Sequence, residues 1–281
     1  MAHFADCAES ITTPILENVL IARSTRRLRL AADELPDEME PGQFFMIRIP
    51  GCNDPLIGRA FAIYDIGTDG GMRYLDLVYL VKGKLTTALA ELRPGASASI
   101  WGPLGKGFST EPVDRLIFVA GGVGQTPFLA LGKEALGQQQ FTAARQSGYA
   151  KNVTLCYGAR NEQWLAGLDD FQSAGLNLRI ATDDGSAGKK GLVTEQLETV
   201  LEETEGLSRR IACCGPEPMM EAVAKIAASH GVSCEVSLET PMACGIGICF
   251  TCVAKIGTND DWDFKRTCVE GPVFDSKDVV W

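Results

Sequence analysis

Apolar positions follow two rhythms along the chain. Over residues 1–110 they form short β-rich runs: VLIARSTRRLRLAA, QFFMIRIP, RAFAIYDI, RYLDLVYLV and SASIWGP. Turn-formers such as ELPDEMEPGQ and GTDGGM separate them. About six strands at this spacing predict a small antiparallel barrel. Only KLTTALAEL, at 84–92, keeps helical spacing. After GPLGKGF at 102–108 the rhythm changes. DRLIFVAGG, KNVTLCYGAR, LNLRIATDDG and RRIACCGP read as strands. They alternate with helical patterns over TPFLALGKEAL, EQWLAGLDDFQ, LVTEQLETVLEE and PMMEAVAKIAASHG. Such alternation predicts βαβ units and a parallel sheet across residues 111–230. Residues 231–281 hold two short β-like pieces and too little apolar surface for a core of their own. The expected fold class is multidomain α+β: an antiparallel barrel, an α/β parallel-sheet domain and a small C-terminal domain.

Composition narrows the function. Of 281 residues, 46% are hydrophobic and 22% charged, the profile of a folded chain. No apolar run approaches the length of a membrane helix. The start, MAHFADCAESITTP, lacks the apolar core of a signal peptide, so a cytoplasmic setting with reduced thiols is expected. Ten cysteines there point to metal ligation rather than five disulfides. A net charge of −10 argues against a nucleic-acid partner. The dense basic stretch ARSTRRLRL, at 22–30, reads as a strand with a solvated face.

Four cysteines fall into one pattern: Cys244-x4-Cys249-x2-Cys252-x15-Cys268. This is the plant-type [2Fe–2S] spacing, in which three thiolates come from one tight loop and one from a later strand. Gly245 and Gly247 suit a loop wrapped closely around sulfides with positive φ. The alternative is structural zinc, although zinc sites usually pair cysteines as two short C-x2–4-C units. Cys7, Cys52, Cys156, Cys213 and Cys234 read as small buried hydrophobes. His3 and His230 have no assigned role.

The central segment carries a nucleotide signal. FVAGGVGQTPFLAL puts Gly121, Gly122 and Gly124 between a buried strand and a helix, with Pro127 in its first turn. Glycines there let a pyrophosphate approach the backbone at a helix N-terminus. Alone, the same motif is also a tight strand–helix turn. Its place in the first βα unit, where nucleotides bind, gives it weight. Cys214, Gly215 and Pro216 close a later strand at the same sheet edge. Asp183 or Asp184 is placed to accept from an adenosine ribose, favouring NAD; ordinary turn chemistry is the other reading.

Together SLETPMACGIGICFTCV, FKRTCVEGPVF, AGGVGQTP and CCGPEPMM resemble the ferredoxin–NADP reductase superfamily, in particular the electron-transfer subunits of NAD-dependent dihydroorotate dehydrogenase. The resemblance covers nearly the whole chain. It implies a flavin-binding barrel (1–110), an NAD-binding α/β domain (111–230) and a [2Fe–2S] domain (231–281). That family binds FAD through Arg-Pro-x-Ser; here the stretch is Arg59-Ala60-Phe61-Ala62, which keeps the arginine and lacks the proline and serine. Further FAD contacts are implied on Val78-Tyr79-Leu80 and at a Gly-Thr pair that reads Leu85-Thr86, or at Thr87 after a one-residue slip. The resemblance also implies an FMN-containing catalytic subunit as partner, a heterotetramer, and a place in pyrimidine biosynthesis.

The cofactor order follows from chemistry. NAD exchanges two electrons as hydride and a [2Fe–2S] centre takes one, so an intermediary such as flavin is needed between them. No catalytic acid–base residue is required. Three other readings stay open: the same module serving a sulfide dehydrogenase, hydrogenase or ferredoxin partner; a non-enzymatic redox sensor; and a zinc-stabilised binding module.

Overall fold

The computed structural model describes residues 8–258 and 260–281; His3 and Cys7 lie outside the described residues. Strands β1 (Glu9–Ala22), β2 (Thr25–Ala31), β3 (Phe44–Arg48), β4 (Arg59–Asp69), β5 (Met72–Leu80) and β6 (Ser97–Leu104) close into an antiparallel barrel, ordered β1-β2-β5-β4-β3-β6. Alternation sends Leu28, Leu30, Phe45, Ile47, Leu75, Leu77 and Ile100 inside. The alternate residues Phe44, Met46 and Leu104 pack elsewhere, against Cys252 and Cys268. Helix α1 (Lys84–Ala90) follows β5. The basic stretch on β2 is not a solvated face. Arg29 grips buried Asp76 through two bonds of 2.8 Å, Arg27 pairs with Glu17 at 3.1 Å, and Arg26 bonds Asn18.

The second sheet is built from β7 (Val113–Gly121), β8 (Ala150–Ala159), β9 (Asn177–Thr182), β10 (Lys189–Lys190), β11 (Arg209–Cys214) and β12 (Ser233–Ser237). These strands are parallel in the order β10-β9-β8-β7-β11-β12. Both faces are covered, as parallel strands require. Phe128 and Leu131 of α2 (Phe128–Ala135) and Phe171 of α3 (Leu168–Ser173) pack on Leu116, Phe118 and Leu155. Leu197 and Val200 of α4 (Val193–Glu203) and Val223 of α5 (Glu217–Ser229) pack on Ile117, Val119 and Ile211.

One expected helix is split. EQWLAGLDDFQ forms a single 3-10 turn at Glu162–Trp164 and then α3. Gly167 between them is left-handed (φ 72°), and a Cβ there would strike the Tyr64 hydroxyl.

The sheet also continues past residue 230. After β12 the chain leaves to form a small lobe with its own hairpin, β13 (Val253–Gly257) and β14 (Trp262–Arg266). It returns as β15 (Val273–Asp275), antiparallel to β12 with Ser237 opposite Val273. Two strands of the larger sheet therefore anchor the segment that lacks a core of its own.

Barrel and sheet are locked together by buried polar contacts. The Tyr64 hydroxyl donates to Asp170 at 2.7 Å, and Lys133 pairs with Asp65 at 2.7 Å. Arg145 donates twice to fully buried Glu134 (2.8 Å each) and once to the Phe108 carbonyl (3.0 Å), and reaches Glu40 at 3.4 Å.

Candidate functional site

The lobe brings the four expected thiols together as two pairs. Cys252 and Cys268 are buried with their sulfurs 3.1 Å apart. Burial pushes Cys268 up to about 12, helped by Cys252 beside it and opposed by the Gly247 N–H. Cys249 is exposed, with its sulfur 3.2 Å from the Thr251 hydroxyl. Hydrogen bonds from Thr251 and then from neighbouring Cys244 draw it down to about 6. Among the described residues no three His, Cys, Asp or Glu side chains are gathered as for one metal ion. Two thiol pairs suit two irons, one pair for each. The glycines serve the loop in a further way. Gly245 (φ 75°) and Gly247 (φ 83°) do adopt the left-handed region, but a Cβ would meet Met46 of the barrel at 2.7 Å and Val269 at 2.5 Å, respectively. They are needed for close seating on protein as well as for the turn.

On the barrel, Arg59 opens β4 exposed, its guanidinium touching only the carbonyls of Ile57 and Gly58. Among the described residues it has no carboxylate partner, so its charge is free for an anionic group such as a pyrophosphate. Phe61 is half-buried beside Tyr79, ring centroids 5.6 Å apart. The Tyr79 hydroxyl is committed to Asn18 at 3.0 Å, Val78 is buried, and Leu80 is half-buried. Ala62 lies opposite Phe44, and Ala60 packs toward the thiol lobe beside Met46. Leu85 is buried. The Thr86 hydroxyl accepts from the Lys82 and Gly83 N–H groups, both at 2.9 Å, and so caps α1. Thr87, one residue on, is exposed.

The dinucleotide crevice lies where β7 and β11 end side by side, with Ala120 opposite Cys214. This is the point where strand order reverses around β7, the usual ligand position in such sheets. The glycines divide into two roles. Gly122 (φ 56°) faces open space. Gly121 and Gly124 have no room: a Cβ on Gly121 would lie 2.7 Å from Pro216, and one on Gly124 would strike the Cys214 carbonyl. Gly215 meets the Gly121 nitrogen at 2.9 Å in the same sense. The two loops are therefore pressed together, and Pro127 follows as the residue capping α2. Burial, then Glu239, pushes Cys214 up to about 12, leaving it a neutral thiol at that edge. Asp184 is used by its own turn, accepting from the Ser186 N–H at 2.9 Å. Asp183 holds the ends of β8 and β9 together through its N–H and leaves its carboxylate exposed.

Gly124→Ala tests this geometry. Only backbone surrounds the new methyl, so a loss of about 1–3 kcal/mol in stability is expected. Gly122→Ala costs only the left-handed backbone, about 1–2 kcal/mol, and overpacks nothing. Denaturant titration of both variants, with NADH binding followed by fluorescence, checks the order.

The chain is 33% identical over 268 residues to the dihydroorotate dehydrogenase B (NAD(+)) electron transfer subunit of Desulforamulus reducens, covering 95% of this chain and 97% of that one. The chain belongs to this family. A homolog of this electron transfer subunit from Aquifex aeolicus is 34% identical, with 96% and 98% covered. The iron–sulfur cluster binding domain of dihydroorotate dehydrogenase B matches residues 239–280, the oxidoreductase NAD-binding domain 118–225, and the oxidoreductase FAD-binding domain 12–108. Among solved structures, a chain described with flavin-based electron bifurcation by an NADH-dependent reduced ferredoxin-NADP oxidoreductase superposes with a TM-score of 0.80 at 28% identity, covering 96% of this chain and 90% of that chain. A ferredoxin-NADP+ reductase from Plasmodium falciparum shares the fold at a TM-score of 0.61, with 81% of this chain and 96% of that one covered at 17% identity. This member of the electron-transfer-subunit family is thus an oxidoreductase subunit with FAD, NAD and iron–sulfur domains.

Sequence reasoning missed the outward-facing Trp101, whose indole reaches the thiol loop, and the Glu134–Arg145 pair. Neither carries a local motif. The exposed threonine beside Thr86 was signalled only as a slip of register.

Proposed function

We propose that this chain carries electrons from an FMN-containing catalytic subunit that oxidises dihydroorotate, through the cysteine-held [2Fe–2S] centre and FAD, to NAD⁺. The reaction belongs to pyrimidine biosynthesis in the cytoplasm. The observation that carries the reading is identity above 30% to electron transfer subunits over nearly their full length, with Cys252 and Cys268 paired at 3.1 Å in the thiol lobe. In this reading Cys244 and Cys249 hold one iron, and Cys252 and Cys268 the other. Arg59 offsets the FAD pyrophosphate charge, and exposed Thr87 rather than Thr86 supplies the phosphate hydroxyl. Gly121, Gly122, Gly124 and Pro127 shape the NAD pyrophosphate seat. Asp183, the uncommitted carboxylate, accepts from the ribose. The flavin supplies the conversion between one-electron and two-electron chemistry.

The partner docks over the exposed corner of the thiol loop. Ile248 and Phe250 are 73% and 61% exposed there, and Trp262 and Phe264 of the adjoining hairpin are 39% and 53% exposed. Apolar side chains at this density mark an interaction surface. Phe250 holds a left-handed backbone (φ 57°) with Arg266 stacked 5.3 Å from its ring, so its outward pose is built in. The family expectation is a heterotetramer of two such pairs.

The test is reconstitution with the catalytic subunit and anaerobic measurement of NADH formed from dihydroorotate and NAD⁺. No NADH from a fully loaded pair sinks the assignment. Ile248→Ser with Phe250→Ser is expected to lower dihydroorotate-driven NAD⁺ reduction about tenfold or more, because central apolar anchors dominate such interfaces. NADH-driven dye reduction by the isolated chain stays unchanged. A second reading, a module exchanging electrons with ferredoxin, is favoured by the 0.80 superposition on the bifurcating oxidoreductase chain. Reduction of ferredoxin without NADH formation from dihydroorotate and NAD⁺ would select it.

A further inference from the structure

Trp101 lies on β6 between Ile100, which points into the barrel, and Gly102. Its own side chain points outward onto the thiol lobe. The indole Nε1–H donates to the Cys244 carbonyl at 2.8 Å. The same strand position is paired with Met46 on β3, and Met46 is paired with Ala60 on β4. Residues paired directly across antiparallel strands share a face, so Ala60, Met46 and Trp101 form one row under the lobe. Gly245 rests on Met46, where a Cβ would come within 2.7 Å of Cγ. The far edge of the indole covers Gly58, the residue before Arg59, where a Cβ would come within 2.8 Å of Cη2. One side chain thus touches the peptide of a thiol ligand and the root of the strand that carries the flavin motif.

We propose that Trp101 is a positioning residue that ties the Cys244 peptide to the flavin strand, and so sets the potential of the cluster and the rate of electron exchange between cluster and FAD. The proposal rests on the reading that both groups operate in this chain. Hydrogen bonds donated around a cluster favour its reduced, more negative form, and groups that orient a ligand tune the metal it holds. The indole donates to the ligand's carbonyl rather than to its sulfur, so it acts by orienting the Cys244 peptide and by setting its N–H dipole beside the thiol loop. Its ring also fills the seam between lobe and barrel, where water would otherwise screen the field and loosen the loop. Loop and strand are consequently held at one separation rather than a range of separations.

Trp101→Phe keeps a ring and removes the donor; Trp101→Leu removes both. With iron and FAD content measured on each holoprotein, Trp101→Phe is expected to lower the cluster midpoint potential and to alter its EPR g-values. Amide exchange across residues 243–249 is expected to accelerate roughly fivefold, the loss of about one hydrogen bond. In Trp101→Leu, reduction of the cluster by NADH is expected to slow about tenfold as well. A role in packing alone predicts lower thermal stability with the potential and g-values unmoved, and that result overturns the proposal. Wild-type values of potential and loop exchange in both variants overturn it too. If Trp101→Leu fails to retain iron, Trp101→Phe decides. A wild-type protein whose cluster NADH cannot reduce would instead defeat the underlying reading, before either variant is measured.

Discussion

Cys252→Ser yields a protein with less than about a tenth of the wild-type iron and no visible cluster absorption, since a site that loses one of its four thiolates loses most of its affinity. The effect is larger here than at Cys249, three residues earlier. Cys252 is 1% exposed and shares its 3.1 Å pair with Cys268, which is fully buried. Both sit in an apolar group with Phe44, Met46, Leu104 and Val269, so the serine hydroxyl enters a site with little to satisfy it. Cys249, by contrast, is at the surface. Cys249→Ser leaves the lobe seated on the barrel and is expected to keep part of its iron. Iron and sulfide assays, with thermal melts of each apoprotein, separate the two. Equal iron loss with equal melting temperatures would contradict the asymmetry.

Glu134→Ala is expected to cost about 3–5 kcal/mol, the usual penalty for removing one partner of a buried ion pair. Glu134 is fully buried and accepts both Arg145 bonds and the Tyr149 hydroxyl at 3.2 Å. Among the described residues, its loss strands a guanidinium with only Glu40, at 3.4 Å, for a countercharge. A chain of this size loses roughly 2–4 °C in Tm per kcal/mol, so the shift is large enough to read directly by calorimetry. Because Arg145 also holds the Phe108 carbonyl, just beyond the barrel's last strand, the barrel and sheet should lose cooperativity together. Glu134→Gln keeps an acceptor for Arg145 and is expected to lose about half as much. A Glu134→Ala protein with wild-type Tm would show that the network is energetically neutral.

Local signals made much of this legible in the sequence. The thiol spacing lies mostly within nine residues, and the two glycine loops each follow a buried strand. The alternation that predicts barrel and parallel sheet is likewise short-range. What stayed hidden depends on partners distant in sequence. β15 is three residues long, too short to show periodicity, so nothing in VFD announces that it closes the edge of a sheet. Gly167 interrupts a helical pattern because of Tyr64, about a hundred positions earlier. The sequence puts Gly121 and Gly124 at a turn between a strand and a helix, but only the pairing of β7 with β11 shows that each is also required by the opposite loop. Trp101 and Cys244 are 143 positions apart, and Glu134 finds Arg145 across an irregular loop.

The lobe leaves the sheet at Ser237 and returns at Val273, directly opposite on the neighbouring strand. Topologically it is an insertion at the tip of a hairpin, with entry and exit side by side, the geometry at which foreign segments are tolerated in folded proteins. Electron wiring in this architecture is therefore a cassette. The edge hairpin is its socket, the outer wall of β3 and β6 is its mounting face, and exchanging one redox lobe for another leaves the path of the reductase chain on either side unchanged.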